Sequence, residues 1–344
     1  MRFLAVLVLS CFALLGCQET PAQAPKNAQP LQVGAANFQA YVPALTGKRV
    51  GLVVNQTSVV NGQHLVDALL DKGVVVSKIF APEHGFRGDH DAGAHVKSTV
   101  DAKTGIDVVS IYGSNKKPSP EMLADLDVII FDIQDVGVRF YTYISTLHNV
   151  MEASAEAGIP IIIFDRPNPN GHYVDGPTLE AKNKSFLGMH TIPLVHGMTI
   201  GEYAQMINGE KWLKHKIQCD LTVIPIKNYT HNTKYDLPVK PSPNLPNSKS
   251  INLYPSLCLF EGTTVSVGRG TDKQFQIFGH PALNSIDYPF SFTPKPNEGA
   301  KNPKHKNQIC FGKDLRKETS LNHLELKWLI TSYKNYRKLD VKNH

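Results

Sequence analysis

Residues 74–96 read VVVSKIFAPEHGFRGDHDAGAHV, an apolar run that stops at Ala81-Pro82 and gives way to glycine and charged side chains. This order predicts a buried strand that delivers a polar loop to a cleft. Glycine allows tight turns near a ligand, while Glu83, His84 and Arg87 offer an acid, a base and an anion-binding group. A solvated surface turn would have the same composition, so both interpretations stay open at this point.

Similar apolar runs recur along the first half of the chain, at residues 50–54, 74–80, 108–112, 128–131 and 160–164. Amphipathic stretches between them, such as 62–72 and 144–158, predict helices. Strands that alternate with helices predict an α/β fold with a Rossmann-like, doubly wound and mainly parallel sheet.

The alternation fails beyond about residue 183, which predicts a second, smaller α+β domain. We therefore predict a Rossmann-like domain over 37–182 and the smaller domain over 183–344. Within the latter, Thr199 and Glu202 fit a capping box that begins a helix, and residues 253–272 are predicted to hold strands. The amphipathic helix that ends the chain has no C-cap, which predicts a C-terminus that is either truncated or divergent.

Ligands of a parallel sheet bind outside the carboxyl ends of its strands. Polar side chains follow each predicted strand, which predicts a shared site that includes Asn55, Glu83, Asp132, Gln134, Asp135, Asp165 and Arg166. Arg139 and Tyr141, a little further along, could hold a polyhydroxylated ring. Alternatively, Arg139 pairs with Asp132 or Asp135 and the tyrosine belongs to the core.

Loops of the second domain have the same mixture of glycine and charge. His196, Glu261, Arg269 and His280 could therefore face Glu83 across a cleft between the domains.

Composition and missing motifs exclude several classes of protein. The chain has 344 residues, of which 42% are hydrophobic and 19% charged, as in an ordinary globular protein. Its net charge of +6 arises in residues 301–344, which hold eleven Lys or Arg and four Asp or Glu, so no nucleic-acid partner is expected. Neither a dinucleotide fingerprint, a P-loop nor a GxSxG elbow occurs. Cys219, Cys258 and Cys310 lack zinc-ligand spacing, and we expect neither a metal nor a cofactor.

The N-terminus predicts export. Residues 1–16 read as a signal peptide, and Leu14-Leu15-Gly16-Cys17 resembles a bacterial lipobox in which Cys17 becomes lipidated. Residues 17–36, rich in Pro, Gln and Ala, then predict a flexible tether. We expect a lipoprotein of the cell envelope that is anchored on the periplasmic side of a membrane, or a secreted protein if Cys17 stays unmodified.

Several long motifs resemble one family. They are GLVVNQTS (51–58), FAPEHGFRGDHDAGAHV (80–96), VIIFDIQDVGVRFYTYISTL (128–147), DRPNPNGHYVDGP (165–177), VHGMTIGEYA (195–204), KPSPNLPN (240–247) and LFEGTTVSVGRGTDKQFQIFGHP (259–281). The chain is similar to the NamZ-type exo-β-N-acetylmuramidases, formerly a bacterial domain of unknown function. This resemblance implies a metal-independent enzyme that releases terminal, non-reducing β-1,4-linked N-acetylmuramic acid (MurNAc) from peptidoglycan fragments, its partners being MurNAc-GlcNAc saccharides or muropeptides.

The resemblance also implies roles for particular residues. Glu83, with His84 beside it, matches the family's proposed catalytic glutamate, and a glycosidase needs such an acid to protonate the leaving oxygen. The second catalytic role is open between Asp132, Asp135, Glu261 and the 2-acetamido group of the substrate. The lactyl carboxylate of MurNAc could be bound by Arg87, Arg139 or Arg269. The remaining predicted substrate-binding residues are Asn55, Gln134, Tyr141, Asp165, Arg166 and His196.

Two other functions remain possible from the residues alone. The first is a metal-dependent envelope hydrolase that uses a cation site built from His84, Asp89, His90, Asp91 and His95. The second is a non-catalytic lipoprotein that binds muropeptides in the same cleft.

Overall fold

The computed structural model describes residues 29–83, 85–86 and 99–340, and from Leu31 onward these form one compact unit. The predicted signal peptide, the predicted lipidation site Cys17, and the candidate site residues His84 and Arg87 lie outside the described residues. Within the described ranges, no helix has both the length and the apolar character that a membrane crossing requires.

A seven-stranded sheet forms the centre of the molecule, with the strand order β5-β6-β4-β1-β7-β8-β9. All neighbouring pairs are parallel except β5 and β6, which confirms the predicted mainly parallel sheet. Its strands are β1 (Arg49–Val54), β4 (Val75–Ala81), β5 (Thr99–Val100), β6 (Asp107–Ser110), β7 (Val128–Asp132), β8 (Ile161–Phe164) and β9 (Leu221–Ile224), and a small hairpin joins β2 (Val59–Val60) to β3 (Gln63–His64).

Helices cover both faces of this sheet because its strands are apolar on both sides. Side chains alternate along β1, so that Leu52 packs in the same cluster as Tyr41 and Leu65, whereas Val53 packs in the cluster of Ile144 and Ile200. The helices are α1 (Phe38–Leu45), α2 (Leu65–Leu70), α3 (Pro120–Leu123), α4 (Tyr143–Ala157), α5 (Ile200–Gly209), α6 (Ser248–Leu257) and α7 (Lys327–Asp340).

The C-terminal part adds a three-stranded antiparallel sheet with the order β10-β12-β11, which confirms the smaller α+β region. Its strands are β10 (Ile277–His280), β11 (Phe290–Phe292) and β12 (Cys310–Asp314). The division into domains at residues 182 and 183 stays a prediction, although the edge strand β9, which follows that boundary, pairs with β8 of the large sheet.

The strands that we predicted within residues 253–272 are wrong. The chain forms helix α6 there, followed by a 3₁₀ helix at Cys258–Gly262. Asn247 caps α6 together with Ser250, and the helix accommodates Pro255 in its last turns. A proline normally interrupts a helix, and the apolar run around it imitates a strand, so local composition pointed the wrong way.

The end of the predicted tether is folded. Gln32 pairs with Lys227, and the Gly34 N–H donates to the Asp165 carbonyl at 2.9 Å. A Cβ on Gly34 would collide with the Ile224 carbonyl oxygen, so glycine is needed for this close approach. Residues 31–36 therefore belong to the compact unit rather than to a flexible linker.

Candidate active site

A cavity of about 270 Å³ lies where the chain leaves β4, and we call it the Glu83 cavity. Four predicted site residues meet in its walls, namely Glu83, Tyr141, Glu261 and Arg269. The other lining residues are Phe140, Thr142, Tyr143, Leu187, Ser242, Asn244, Leu245, Tyr254, Cys258 and Phe275. Carboxylates, a guanidinium and aromatic rings thus surround a space of the kind that holds a small ligand.

The carboxyl group of Glu83 is oriented by two hydroxyl groups. The Tyr112 hydroxyl donates to Oε1 at 2.9 Å, and Thr142 Oγ1 donates to Oε2 at 2.8 Å. Burial and the neighbouring Glu83 charge raise the pKa of Tyr112 well above its usual value, so this hydroxyl keeps its proton and remains a donor. Glu83 is therefore held by groups from two other loops at the carboxyl edge of the sheet.

Glu261 and Arg269, which line the same cavity from the segment after α6, form an ion pair. Arg269 Nε donates to Glu261 Oε2 at 3.0 Å, and Nη2 lies 2.9 Å from the same oxygen. Glu261 lies on the 3₁₀ helix after α6, and Lys304 Nζ fixes this turn by donating to the carbonyl oxygens of Glu261 and Thr263, at 3.0 and 2.6 Å. The pair therefore has a rigid support behind it.

Asp132 and Arg166 do not line the cavity. Arg166 Nε and Nη2 donate to the two carboxylate oxygens of Asp132 at 2.6 and 2.8 Å, and both side chains are buried. This bidentate pair joins the ends of β7 and β8. Each of the two charges is compensated by the other within the protein, without a ligand.

Three further predicted residues form hydrogen bonds within the strand-end loops. Asp135 Oδ2 accepts from the Gly137 N–H at 2.7 Å and lies 3.6 Å from His196 Nε2. Gln134 Nε2 donates to the carbonyl oxygens of residues 135 and 167, at 2.8 and 2.7 Å. Asn55 Oδ1 accepts from both the N–H and the hydroxyl of Thr57. These contacts shape the loops that carry the cavity residues.

Arg139 and Asp165 also contact the protein rather than the cavity. Arg139 Nη1 donates to the carbonyl oxygens of Pro177 and Ile192, at 2.8 and 2.6 Å. Asp165 accepts from the Thr199 hydroxyl and the Gly201 N–H, at 2.9 and 2.8 Å, at the start of α5. The predicted capping box of Thr199 and Glu202 is present there.

All five residues named for a cation site, His84, Asp89, His90, Asp91 and His95, fall outside the described residues. Among the residues whose positions are given, no group of three or more His, Cys, Asp or Glu could hold a metal ion.

The sequence interpretation did not select the two residues that hold Glu83. Tyr112 is the last residue of the predicted strand at 108–112, at the same sheet edge as Glu83, and this position was the available signal. Thr142 lies between two tyrosines that the sequence did emphasise, but a lone threonine carries no distinctive pattern. Tyr254, which also lines the cavity, lies outside the quoted motifs, and Phe275 lies within the motif at 259–281 but was not singled out there.

Comparisons with known proteins match this geometry to one family. The N-terminal domain of the exo-β-N-acetylmuramidase NamZ matches residues 50–249, and its C-terminal domain matches residues 252–343. The peptidoglycan β-N-acetylmuramidase NamZ of Bacillus subtilis (strain 168) is 44% identical over 297 residues, which cover 80% of this chain and 69% of that protein.

Crystal structures of similar proteins share the fold. One DUF1343 family protein from Bacteroides fragilis NCTC 9343 is 48% identical, with a TM-score of 0.82 over 90% of this chain and 84% of that one. A second from the same organism is 30% identical, with a TM-score of 0.77 over 91% of this chain and 85% of that one. The family domains together match most of the chain, and the predicted resemblance is confirmed: the chain belongs to the NamZ exo-β-N-acetylmuramidase family.

Proposed function

We propose that this protein is a glycosidase that releases terminal, non-reducing β-1,4-linked MurNAc from peptidoglycan fragments. Membership of the NamZ family and the identity to the B. subtilis enzyme support the reaction. The observation that carries the proposal is the position of Glu83, whose carboxyl group is fixed by two hydroxyl donors in the wall of a small cavity. A cavity of this size suits the end of a saccharide chain rather than its middle.

Glu83 is the general acid in this proposal. It protonates the glycosidic oxygen as the bond to the leaving sugar breaks, and the positive charge that develops on the MurNAc ring must then be met by a nucleophile or a base. Glu261 is the proposed second carboxylate, because it is the only one of the three candidates that lines the Glu83 cavity. The 2-acetamido group of the substrate remains the alternative, and a Glu261→Gln variant that keeps its kcat would favour it.

The proposal is tested with 4-nitrophenyl β-MurNAc, whose cleavage releases a coloured phenol. We expect the wild type to cleave this substrate. On MurNAc-GlcNAc, whose leaving sugar needs a proton far more than 4-nitrophenolate does, Glu83→Gln should lose at least about a hundredfold in kcat, within the usual worth of general acid catalysis. Glu298→Gln is the matched control, since this exposed glutamate lies outside the Glu83 cavity.

The same variants separate catalysis from binding. If folded wild type binds MurNAc-GlcNAc but never cleaves it, and Glu83→Gln binds it equally well, the protein is a non-catalytic muropeptide-binding lipoprotein. Cleavage that a chelator abolishes and zinc or manganese restores would instead indicate the metal-dependent hydrolase.

We also propose that the chain acts in the cell envelope as a lipoprotein anchored through Cys17, on the periplasmic side. The apolar stretch before Cys17 and the lipobox-like Leu14-Leu15-Gly16 support this location, as does the polymeric substrate. Metabolic labelling with a radioactive fatty acid should mark the wild type and not Cys17→Ser. Labelling of neither protein, with both released from the cells, would indicate ordinary secretion.

A further inference from the structure

The charges around the Glu83 cavity are unevenly distributed. Two carboxylates, Glu83 and Glu261, line it, and Arg269 is the only positively charged side chain among the described residues in its walls. A substrate that brings its own carboxylate into this space lies close to Glu261, and contact with the guanidinium offsets the repulsion between these two carboxylates. A neutral sugar such as N-acetylglucosamine has no such requirement.

The guanidinium has donors left for a ligand. Its hydrogen bond from Nε and its ion-pair contact from Nη2 both reach the same oxygen, Glu261 Oε2, so the pair does not use the full fork of five N–H donors. Across the described part of the chain, Arg269 Nη1 donates to no other group. About a quarter of the arginine side chain is exposed, so a carboxylate can reach it from the cavity.

The backbone and a neighbouring ring hold Arg269 in this orientation. Its guanidinium carbon lies 5.0 Å from the centre of the buried Phe275 ring, a cation–π contact. Gly268 and Gly270 on either side have φ values of +82° and +78°, and a Cβ on either glycine would approach a carbonyl oxygen to 2.7 Å. A donor that is fixed before the substrate arrives loses little entropy on binding.

We propose that Arg269 binds the lactyl carboxylate of the terminal MurNAc and so makes the cavity selective for this sugar. This inference rests on the proposed muramidase function. Arg139 is unsuited to the task, because its Nη1 donates to two carbonyl oxygens and the side chain does not line the cavity. Glu261 contacts the guanidinium through Nε and Nη2, which leaves the Nη1 donors for a ligand.

The test compares two substrates that differ only in the charge of the lactyl group, 4-nitrophenyl β-MurNAc and its lactyl methyl ester. For wild type we expect kcat/KM to be about 10- to 150-fold higher for the acid, the worth of a hydrogen bond to a charged group. In Arg269→Met, kcat/KM for the acid should fall until the two substrates are nearly equal. Arg269→Lys should give an intermediate ratio, because lysine retains the charge but loses the planar fork.

The ratio of the two substrates is measured in one preparation, so partial unfolding of a variant does not change it. Arg316→Met is the matched control, since it removes an arginine whose Nη2 lies 2.6 Å from Asp314 outside the cavity. This variant should keep the wild-type ratio.

Several results would overturn the assignment of Arg269. An equal loss on acid and ester in Arg269→Met would mean that the residue only supports the structure. A wild-type ratio that persists in this variant would place the carboxylate on another group, with Arg87→Met as the next variant. Equal rates for both substrates in the wild type would refute the contact between Arg269 and the lactyl carboxylate but not the muramidase function. If folded wild type cleaved neither substrate, the muramidase function itself would be refuted.

Discussion

Asp132→Asn should destabilise the protein strongly without removing a catalytic group. Asp132 is the last residue of β7, and its carboxylate is fully buried against the equally buried Arg166. Two short hydrogen bonds of 2.6 and 2.8 Å join the pair. Because neither side chain lines the Glu83 cavity, the substitution acts on folding first.

The size of the effect follows from the burial of the guanidinium. Asparagine can still accept one hydrogen bond, but it leaves the Arg166 charge uncompensated, and arginine cannot lose its proton at ordinary pH. The other hydrogen bond found for this side chain runs from Nη2 to the Val59 carbonyl oxygen, at 3.2 Å. Breaking a buried pair in this way costs about 3–5 kcal/mol, a large part of the 5–15 kcal/mol that typically stabilises a domain.

The assay is urea denaturation followed by circular dichroism, with kcat measured on 4-nitrophenyl β-MurNAc below the transition. We expect a much lower midpoint for Asp132→Asn and a kcat within a few-fold of wild type. Asp127→Asn is the matched control, because Asp127 forms the same bidentate pair with Arg49 on the surface, and the midpoint should hardly move. The double variant Asp132→Leu with Arg166→Met should recover much of the stability, since it buries no unpaired charge.

The reasoning is refuted if Asp132→Asn keeps the wild-type midpoint and loses kcat by orders of magnitude. Asp132 would then act on the substrate as the second carboxylate, which is one of the roles that the sequence left open.

Three further predictions concern the surroundings of the cavity. Tyr112→Phe and Thr142→Val each remove one donor from Glu83, and kcat should fall about tenfold or more in each; unchanged rates would show that the orientation of Glu83 does not depend on them. Burial raises the pKa of Asp165 to about 6, so its contribution to stability is present below its unfolded pKa near 4 and is lost as the pH rises through 6. The free energy of unfolding of Asp165→Asn should therefore rise relative to that of the wild type between pH 4 and 6. A difference between the two proteins that stays constant over this pH range would contradict the prediction. Thr199→Ala removes the cap of α5 and a hydrogen bond to Asp165, and thermal denaturation should show a loss of about 1–2 kcal/mol.

The large sheet could be predicted because each of its central strands is apolar on both faces. Runs such as residues 128–131 are buried along their whole length, as expected for a strand with helices packed on both faces of its sheet. The turn after β4 was predictable for the same reason, since Pro82 ends the apolar run just before Glu83. Local pattern therefore located the strand, its end and the first cavity residue together.

The strand ends were less informative about which polar residues act on a ligand. In a parallel sheet they all lie at one edge, and sequence order cannot say which of them bind one another there. Arg166 illustrates this, because it reads as an anion-binding residue and yet its charge is matched within the fold by Asp132. Buried charges must find partners, so a strand end with several charged residues is as consistent with an internal ion pair as with a substrate contact.

Glu261 and Arg269 were named from the sequence as residues that could face Glu83, but their local structure was not predicted. Glu261 lies on a 3₁₀ helix, and Arg269 follows eight positions later in a segment that the sequence presented as strands. Other parts of the cavity wall are joined by long-range contacts, among them the hydrogen bond from the Tyr141 hydroxyl to the Pro241 carbonyl oxygen at 2.7 Å. A motif can indicate that a side chain acts on a ligand. The groups that this side chain faces depend on long-range contacts, and these contacts determine which arginine can bind the carboxylate of the substrate.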